Sequence, residues 1–219
     1  MSSGIKHPAK FSESIVQVLF DAFSAENFPD PIWILDPFAG VGNIHQLREI
    51  GHFTIGIEIE PEWAGEHEWT LRGDAHSLPF PDESFDAICT SPCYGNRMSD
   101  NFQAKDDSRR HTYRAYLGRE VDDNSAGKLQ WGDKYKEFHA TAWREAIRVL
   151  KPGGTFVLNT SNHIRAGEEQ EVTQWHSLNM LYLGLAPVHT YEIDTPRNRH
   201  GANADARVDH ETVTVWRKP

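Results

Sequence analysis

Apolar positions along this chain fall into runs of alternating character. AKFSESIVQVLFDAFS, residues 9–24, carries Phe11, Ile15, Val18, Leu19 and Phe23 at helical spacing, with Ser12 as its cap. IWILDPFAGVGN, residues 32–43, reads as a strand, an acid at its end and a glycine-rich turn. NIHQLREIG predicts a short helix stopped by Gly51. FTIGIEIE, residues 53–60, is a second strand ending on acids, and Pro61 can start the next helix. A third strand is expected near residues 69–73 and a fourth over FDAICTSP, residues 85–92.

Residues 95–133 break the pattern. They are polar, rich in Arg and Asp and without sustained periodicity, and read as a long functional loop or insertion. A helix resumes at about 134–150, through Tyr135, Phe138, Trp143, Ile147 and Leu150. The turn KPGG, residues 151–154, leads into a fifth strand, TFVLNTS. Another helix is expected over 169–183, then two strand-like runs, 186–193 and 211–217, flanking a polar stretch. Strand–helix alternation predicts one α/β domain over residues 1–219 with a mostly parallel sheet.

Composition narrows the class. The chain has 219 residues, 38% hydrophobic and 25% charged, enough for a full core without staples. Two cysteines cannot build a disulfide framework, and an extended chain holds Cys89 and Cys93 too far apart to bond. There is no apolar run of membrane-span length and no signal-peptide pattern, so a cytoplasmic protein without a membrane partner is expected. Twelve scattered histidines without HExxH suggest no metal. The net charge of -10 argues against nucleic acid, but residues 1–90 hold 4 basic and 15 acidic side chains and the remainder is near neutral. A nucleic-acid surface in that remainder is permitted.

Ligands of open α/β sheets bind beyond the carboxyl ends of the strands. There the sequence places Asp36, then Gly40 and Gly42 in the turn, Glu58 after the second strand and Asp74 after the third. The turn is not GxGxxG and has no phosphate-loop Lys; an uncompensated acid beside it suits an amino-bearing or cationic ligand. Glu58 can accept from a ribose, and Asp74 from an adenine amino group.

These residues resemble the motifs of class I S-adenosylmethionine-dependent methyltransferases, specifically those that methylate amino groups in DNA. DPFAGVG, with Asp36, Phe38, Gly40 and Gly42, resembles motif I, and GIEIEPEW, with Glu58, motif II. GDAHSLPFPDESFDAI, with Asp74 and Ala75, resembles the adenine-contacting region. KHPAKFSESI, with Lys10 and Phe11, resembles motif X, and RVLKPGGTFVLN the fifth-strand region. TSPCYGNRM resembles the catalytic motif (Asp/Asn/Ser)-Pro-Pro-(Tyr/Phe). The resemblance implies a Rossmann-like, mostly parallel seven-stranded sheet with helices on both faces. It also implies S-adenosylmethionine as cofactor, S-adenosylhomocysteine as product, DNA as partner, and a site-specific methyltransferase of the restriction–modification type.

Within that motif the Ser91 hydroxyl and the Pro92 carbonyl are acceptors for a target amine, whose conjugated lone pair is otherwise a poor nucleophile. Tyr94 offers a face to a base flipped from the duplex. Ser91 at the motif's head leans toward N4 of cytosine, with N6 of adenine as the alternative. Cys93 replaces the second proline. Cytosine-C5 enzymes use a Pro-Cys pair there, which makes Cys93 a rival nucleophile; the favoured reading is a small buried side chain. RNA methylation and a non-enzymatic DNA-binding protein are the remaining alternatives. Arg97, Lys105, Arg109, Arg110, Arg114 and Arg119, interleaved with Tyr113 and Tyr116, are candidate DNA contacts, as are Arg197 and Arg199. Arg207, Asn203 and His210 lie in the same late stretch.

Overall fold

The computed structural model describes residues 13–24, 26–95, 112–195 and 208–219. Lys10, Phe11, Arg97, Lys105, Arg109, Arg110, Arg197, Arg199, Asn203 and Arg207 lie outside them, as does Ser12.

Four parallel neighbours form the heart of the sheet: β1 (Trp33–Asp36), β2 (Phe53–Glu58), β3 (Thr70–Arg72) and β4 (Phe85–Thr90). With β5 (Leu150–Thr160), β8 (Ala186–Asp194) and β9 (His210–Arg217) the order is β3-β2-β1-β4-β5-β9-β8. The first five strands pair in parallel, whereas β9 runs antiparallel to both β5 and β8. This is the seven-stranded sheet the resemblance implies. The chain winds outward from β1 in one direction and from β4 in the other. The switch point between β1 and β4 is where such sheets open a crevice.

Alternate residues of each central strand serve opposite faces. Leu35, Ile88, Phe156 and Leu158 point into a core with α4 (Asp133–Val149) and α5 (Val172–Tyr182), through Ala142, Trp143, Ala146 and Met180. Ile34, Ala87, Cys89 and Val157 point the other way, onto Ile15 and Leu19 of α1 (Glu13–Ala22), onto Phe23 just after it, and onto Ile44 and Leu47. Burial on both faces explains why these strands read as apolar runs rather than as alternation. Among the described residues no helix is long and apolar enough to cross a membrane.

The expected short helix is present as a 3-10 helix, Asn43–Ile50, stopped by Gly51. Two local expectations change. The expected helix over 169–183 begins only at Val172, because β6 (His163–Arg165) and β7 (Glu168–Gln170) form a hairpin ahead of it. Ala166 and Gly167 turn it with φ of 52° and 82°, the double positive φ of a tight hairpin, and its charged residues carry no strand alternation. The insertion also has order: α3 (Tyr113–Leu117) and a 3-10 turn at Ala126–Lys128 lie within it.

Candidate active site

A cavity of about 300 Å3 opens at the carboxyl ends of β1 to β4. Asp36, Phe38, Gly40, Glu58, Asp74 and Ala75 line one part of it, and Ser91, Pro92, Cys93 and Tyr94 another. The turn after β1 is seated on β2: the Ala39 N–H donates to the Ile57 carbonyl at 2.9 Å. Gly56 permits that approach, since a Cβ there would stand 2.6 Å from the Ala39 Cβ. Gly42 does not border the cavity. At φ 81° it turns the chain into the 3-10 helix, and a Cβ on it would meet His45 at 2.6 Å.

The two strand-end acids are tightly held. Asp36 Oδ1 accepts from the Thr90 hydroxyl at 2.6 Å and from the Phe38 N–H at 2.9 Å. Glu58 accepts from the Gly40 N–H through Oε2 and from the Glu60 N–H through Oε1, both at 2.9 Å. Burial pushes the Asp36 and Glu58 carboxyls each up to about 7, against these hydrogen bonds. Neither acid has a cationic partner among the described residues, which leaves negative potential for a ligand. Asp74 is half-buried; Oδ1 accepts from the His76 N–H and Oδ2 from the Asn124 amide at 3.1 Å.

Asn124 belongs to the segment that the sequence marks as polar, and that segment folds over the part of the cavity that Asp74 lines. Asn124, Ser125, Ala126 and Gly127 line it. Arg119 ties the segment down: its guanidinium reaches Glu60 at 2.7 Å and pairs with both oxygens of Glu62. The Asp122 N–H donates to the other Glu60 oxygen at 2.7 Å. Arg119 is thus committed to carboxylates rather than offered to phosphate, and Arg114 is paired with Glu120. Tyr113, expected as a stacking surface, is 6% exposed and packs edge-on against Trp63.

Cys93 sits beside this cluster, its Sγ 3.1 Å from the Tyr113 hydroxyl. Both cysteines are free. Burial pushes the Cys93 thiol up to about 11, so it is protonated at neutral pH. The Cys93 carbonyl is fixed from the other side by the Tyr135 hydroxyl at 2.7 Å. His176 faces that hydroxyl through Nε2 at 2.9 Å and accepts from Trp143 through Nδ1 at 3.0 Å. Burial keeps His176 neutral, so its remaining proton lies on Nε2 and points at Tyr135. The turn bearing Ser91 is therefore held by buried, uncharged donors.

The motif reading gives no role to two polar residues of the cavity's catalytic end. Asn159 near the end of β5 and Glu211 in β9 both line the cavity beside Ser91 and Tyr94. A signal existed for each. Asn159 is an amide inside an apolar strand, and an antiparallel β9 brings its start to the carboxyl end of β5.

No family model matches this chain, and no curated protein matches it in sequence. Solved structures do match in fold. A SAM-dependent methyltransferase from Archaeoglobus fulgidus superposes with a TM-score of 0.57 at 12% identity, covering 94% of this chain and 95% of that one. The 1,6-didemethyltoxoflavin-N1-methyltransferase of Burkholderia thailandensis, solved with S-adenosylhomocysteine, gives 0.55 at 16% identity, covering 94% and 79%. The [4+2]-cyclase SpnF gives 0.57 at 16% identity over 98% and 85%. At such identities the likeness is one of fold, and a cyclase among the matches separates fold from reaction.

Proposed function

We propose that this chain transfers the methyl group of S-adenosylmethionine to the exocyclic amino group of a base flipped out of DNA, N4 of cytosine before N6 of adenine. One observation carries the reading. Ser91-Pro92-Cys93-Tyr94 ends the strand beside Asp36, and both border a single cavity with Glu58 and Asp74.

The cavity fits the cofactor on its own chemistry. Asp36 and Glu58 are buried carboxyls whose charge a cationic ligand would restore, and each Glu58 oxygen keeps a lone pair for a ribose hydroxyl. Phe38 supplies an apolar wall, with Asp74 and Ala75 placed for an adenine amino group and ring. When bound, S-adenosylmethionine supplies a methyl group on a sulfonium and leaves as S-adenosylhomocysteine.

The chain's own residues prepare the amine. The Ser91 hydroxyl and the Pro92 carbonyl accept its two N–H groups and draw the nitrogen lone pair out of conjugation. Tyr94 provides a ring face for the base, and proximity with electrostatics supplies the rate. A protonated Cys93 packed against Tyr113 fills the space of the family's second proline, which favours amine over ring-carbon methylation. The reading is tested by offering labelled cofactor with duplex DNA, single-stranded RNA or free nucleosides. Label in duplex DNA is expected. Label only in RNA or in free nucleosides would move the substrate to that class.

A further inference from the structure

The motif resemblance accounts for Ser91 and Tyr94 but not for the carboxylate that β9 brings to them. The Tyr94 hydroxyl donates to Glu211 Oε2 at 3.1 Å. Ser91 Oγ lies 2.8 Å from the Tyr94 hydroxyl. The Asn159 amide nitrogen reaches Glu211 Oε2 at 2.8 Å, the Tyr94 oxygen at 3.0 Å and Ser91 Oγ at 3.2 Å. All four residues line the cavity.

A carboxylate can only accept, and this fixes the direction of the protons around it. The single Tyr94 hydroxyl proton points at Glu211. The Ser91 hydroxyl therefore donates to the Tyr94 oxygen. Asn159 turns its NH2 toward the cluster, since its carbonyl there would face the Glu211 lone pairs. Ser91 Oγ keeps a lone pair to receive an N–H. The hydroxyls thus form a one-way chain from Ser91 through Tyr94 to Glu211.

We propose that Glu211 is the terminal proton acceptor of the methyl transfer, reached through the Ser91 and Tyr94 hydroxyls, with Asn159 as its positioning residue. The inference rests on the reading that an amine is methylated here. The amine nitrogen bonds the methyl carbon as the carbon–sulfur bond breaks, and that bond's electron pair stays on sulfur. The nitrogen is then cationic and must lose one proton. That proton passes to Ser91 Oγ as the Ser91 proton moves to Tyr94 and the Tyr94 proton to Glu211. Glu211 ends as a neutral acid and returns the proton to solvent. Until then its charge also stabilises the positive charge growing on nitrogen.

The test uses sinefungin, a cofactor analogue bearing an amine where the S-methyl group stands, against S-adenosylhomocysteine, which has neither. Calorimetric titration should show wild type preferring the protonated amine by about tenfold, the scale of a charge-assisted hydrogen bond over a neutral one. Glu211→Gln keeps an acceptor for Tyr94 but neither charge nor proton affinity. It should still bind S-adenosylhomocysteine and should lose part of the preference for sinefungin, Asp36 retaining its own share. Single-turnover transfer to DNA should fall by about a hundredfold in Glu211→Gln, and in Tyr94→Phe, which keeps the ring but breaks the chain. Asn159→Ala should lose part of the sinefungin preference. No preference in wild type, or an unchanged preference and rate in Glu211→Gln, would overturn the proposal. If the wild type shows the preference, Glu211→Gln loses part of it and DNA takes no label, the DNA reading fails while Glu211 remains the acceptor for another amine.

Discussion

In the proposed site Asp36 couples folding, cofactor binding and pH in a way one substitution exposes. Its carboxyl is 2% exposed, and burial lifts it from 3.8 to about 7. A rise of roughly three units corresponds to ~4 kcal/mol favouring the neutral form in the folded state. Below about pH 4 the group is protonated whether the chain is folded or not. Between about pH 4 and 7 the unfolded chain releases its proton first, so the folded state holds more protons and stability falls as pH rises. Above that window both forms are ionised and the whole cost is present. Asp36→Asn retains an oxygen to accept from Thr90 and Phe38 and carries no charge at any pH. The Asp36 charge is one of the causes that raise Glu58, so removing it relieves that neighbour. Urea unfolding of both proteins at about pH 5 and 8 should show the variant gaining ~1–4 kcal/mol relative to wild type at the higher pH. The same variant should bind S-adenosylmethionine at least about tenfold more weakly, since the lost charge is what answers the cation. Wild-type affinity should rise from about pH 6 to 8, with protons released on binding. A stability difference that does not change with pH would refute the burial argument.

Other consequences are more local. Cys93→Ser and Cys93→Pro should keep most methyl-transfer activity, and 5-fluorocytosine DNA should not trap the enzyme; a covalent complex on denaturing gels would promote Cys93 to nucleophile. Arg119→Gln should loosen residues 112–128, leaving the Asp122 N–H on Glu60, and weaken cofactor binding several-fold, roughly 1 kcal/mol, mostly through faster dissociation. Stopped-flow rates equal to wild type would mean that the segment does not cover the cofactor. Gly42→Ala places a Cβ at φ 81° against His45 and should lose ~1–3 kcal/mol in denaturant unfolding.

Much of the fold was written in local pattern. The strands through Leu35, Ile57, Ile88 and Val157 announce themselves because both faces are buried, so their whole length is apolar. The strand-end acids were legible because topology puts every carboxyl end on one rim. What stayed hidden depends on distant pairing. The Glu168–Gln170 strand is charged and exists through its hairpin partner. Arg119 resembles any solvated arginine until Glu60 and Glu62, about sixty residues earlier, fold beneath it. Tyr113 reads as a polar-loop aromatic because its burial comes from Trp63 in another element. Glu211 is one acid before an apolar run; only the antiparallel register of β9 on β5 brings it to Ser91 and Tyr94.

The central claim is that the Ser91 turn presents a base amine to the cofactor's methyl group. The most direct measurement is to incubate duplex DNA with isotopically labelled S-adenosylmethionine and either the wild type or Ser91→Ala, digest the DNA, and identify the modified nucleoside by mass. Wild type should yield N4-methylcytosine, or failing that N6-methyladenine, and Ser91→Ala about a hundredfold less, the usual effect of removing one positioned polar group from a transition state. Labelled 5-methylcytosine, or equal yields from both proteins, would contradict it.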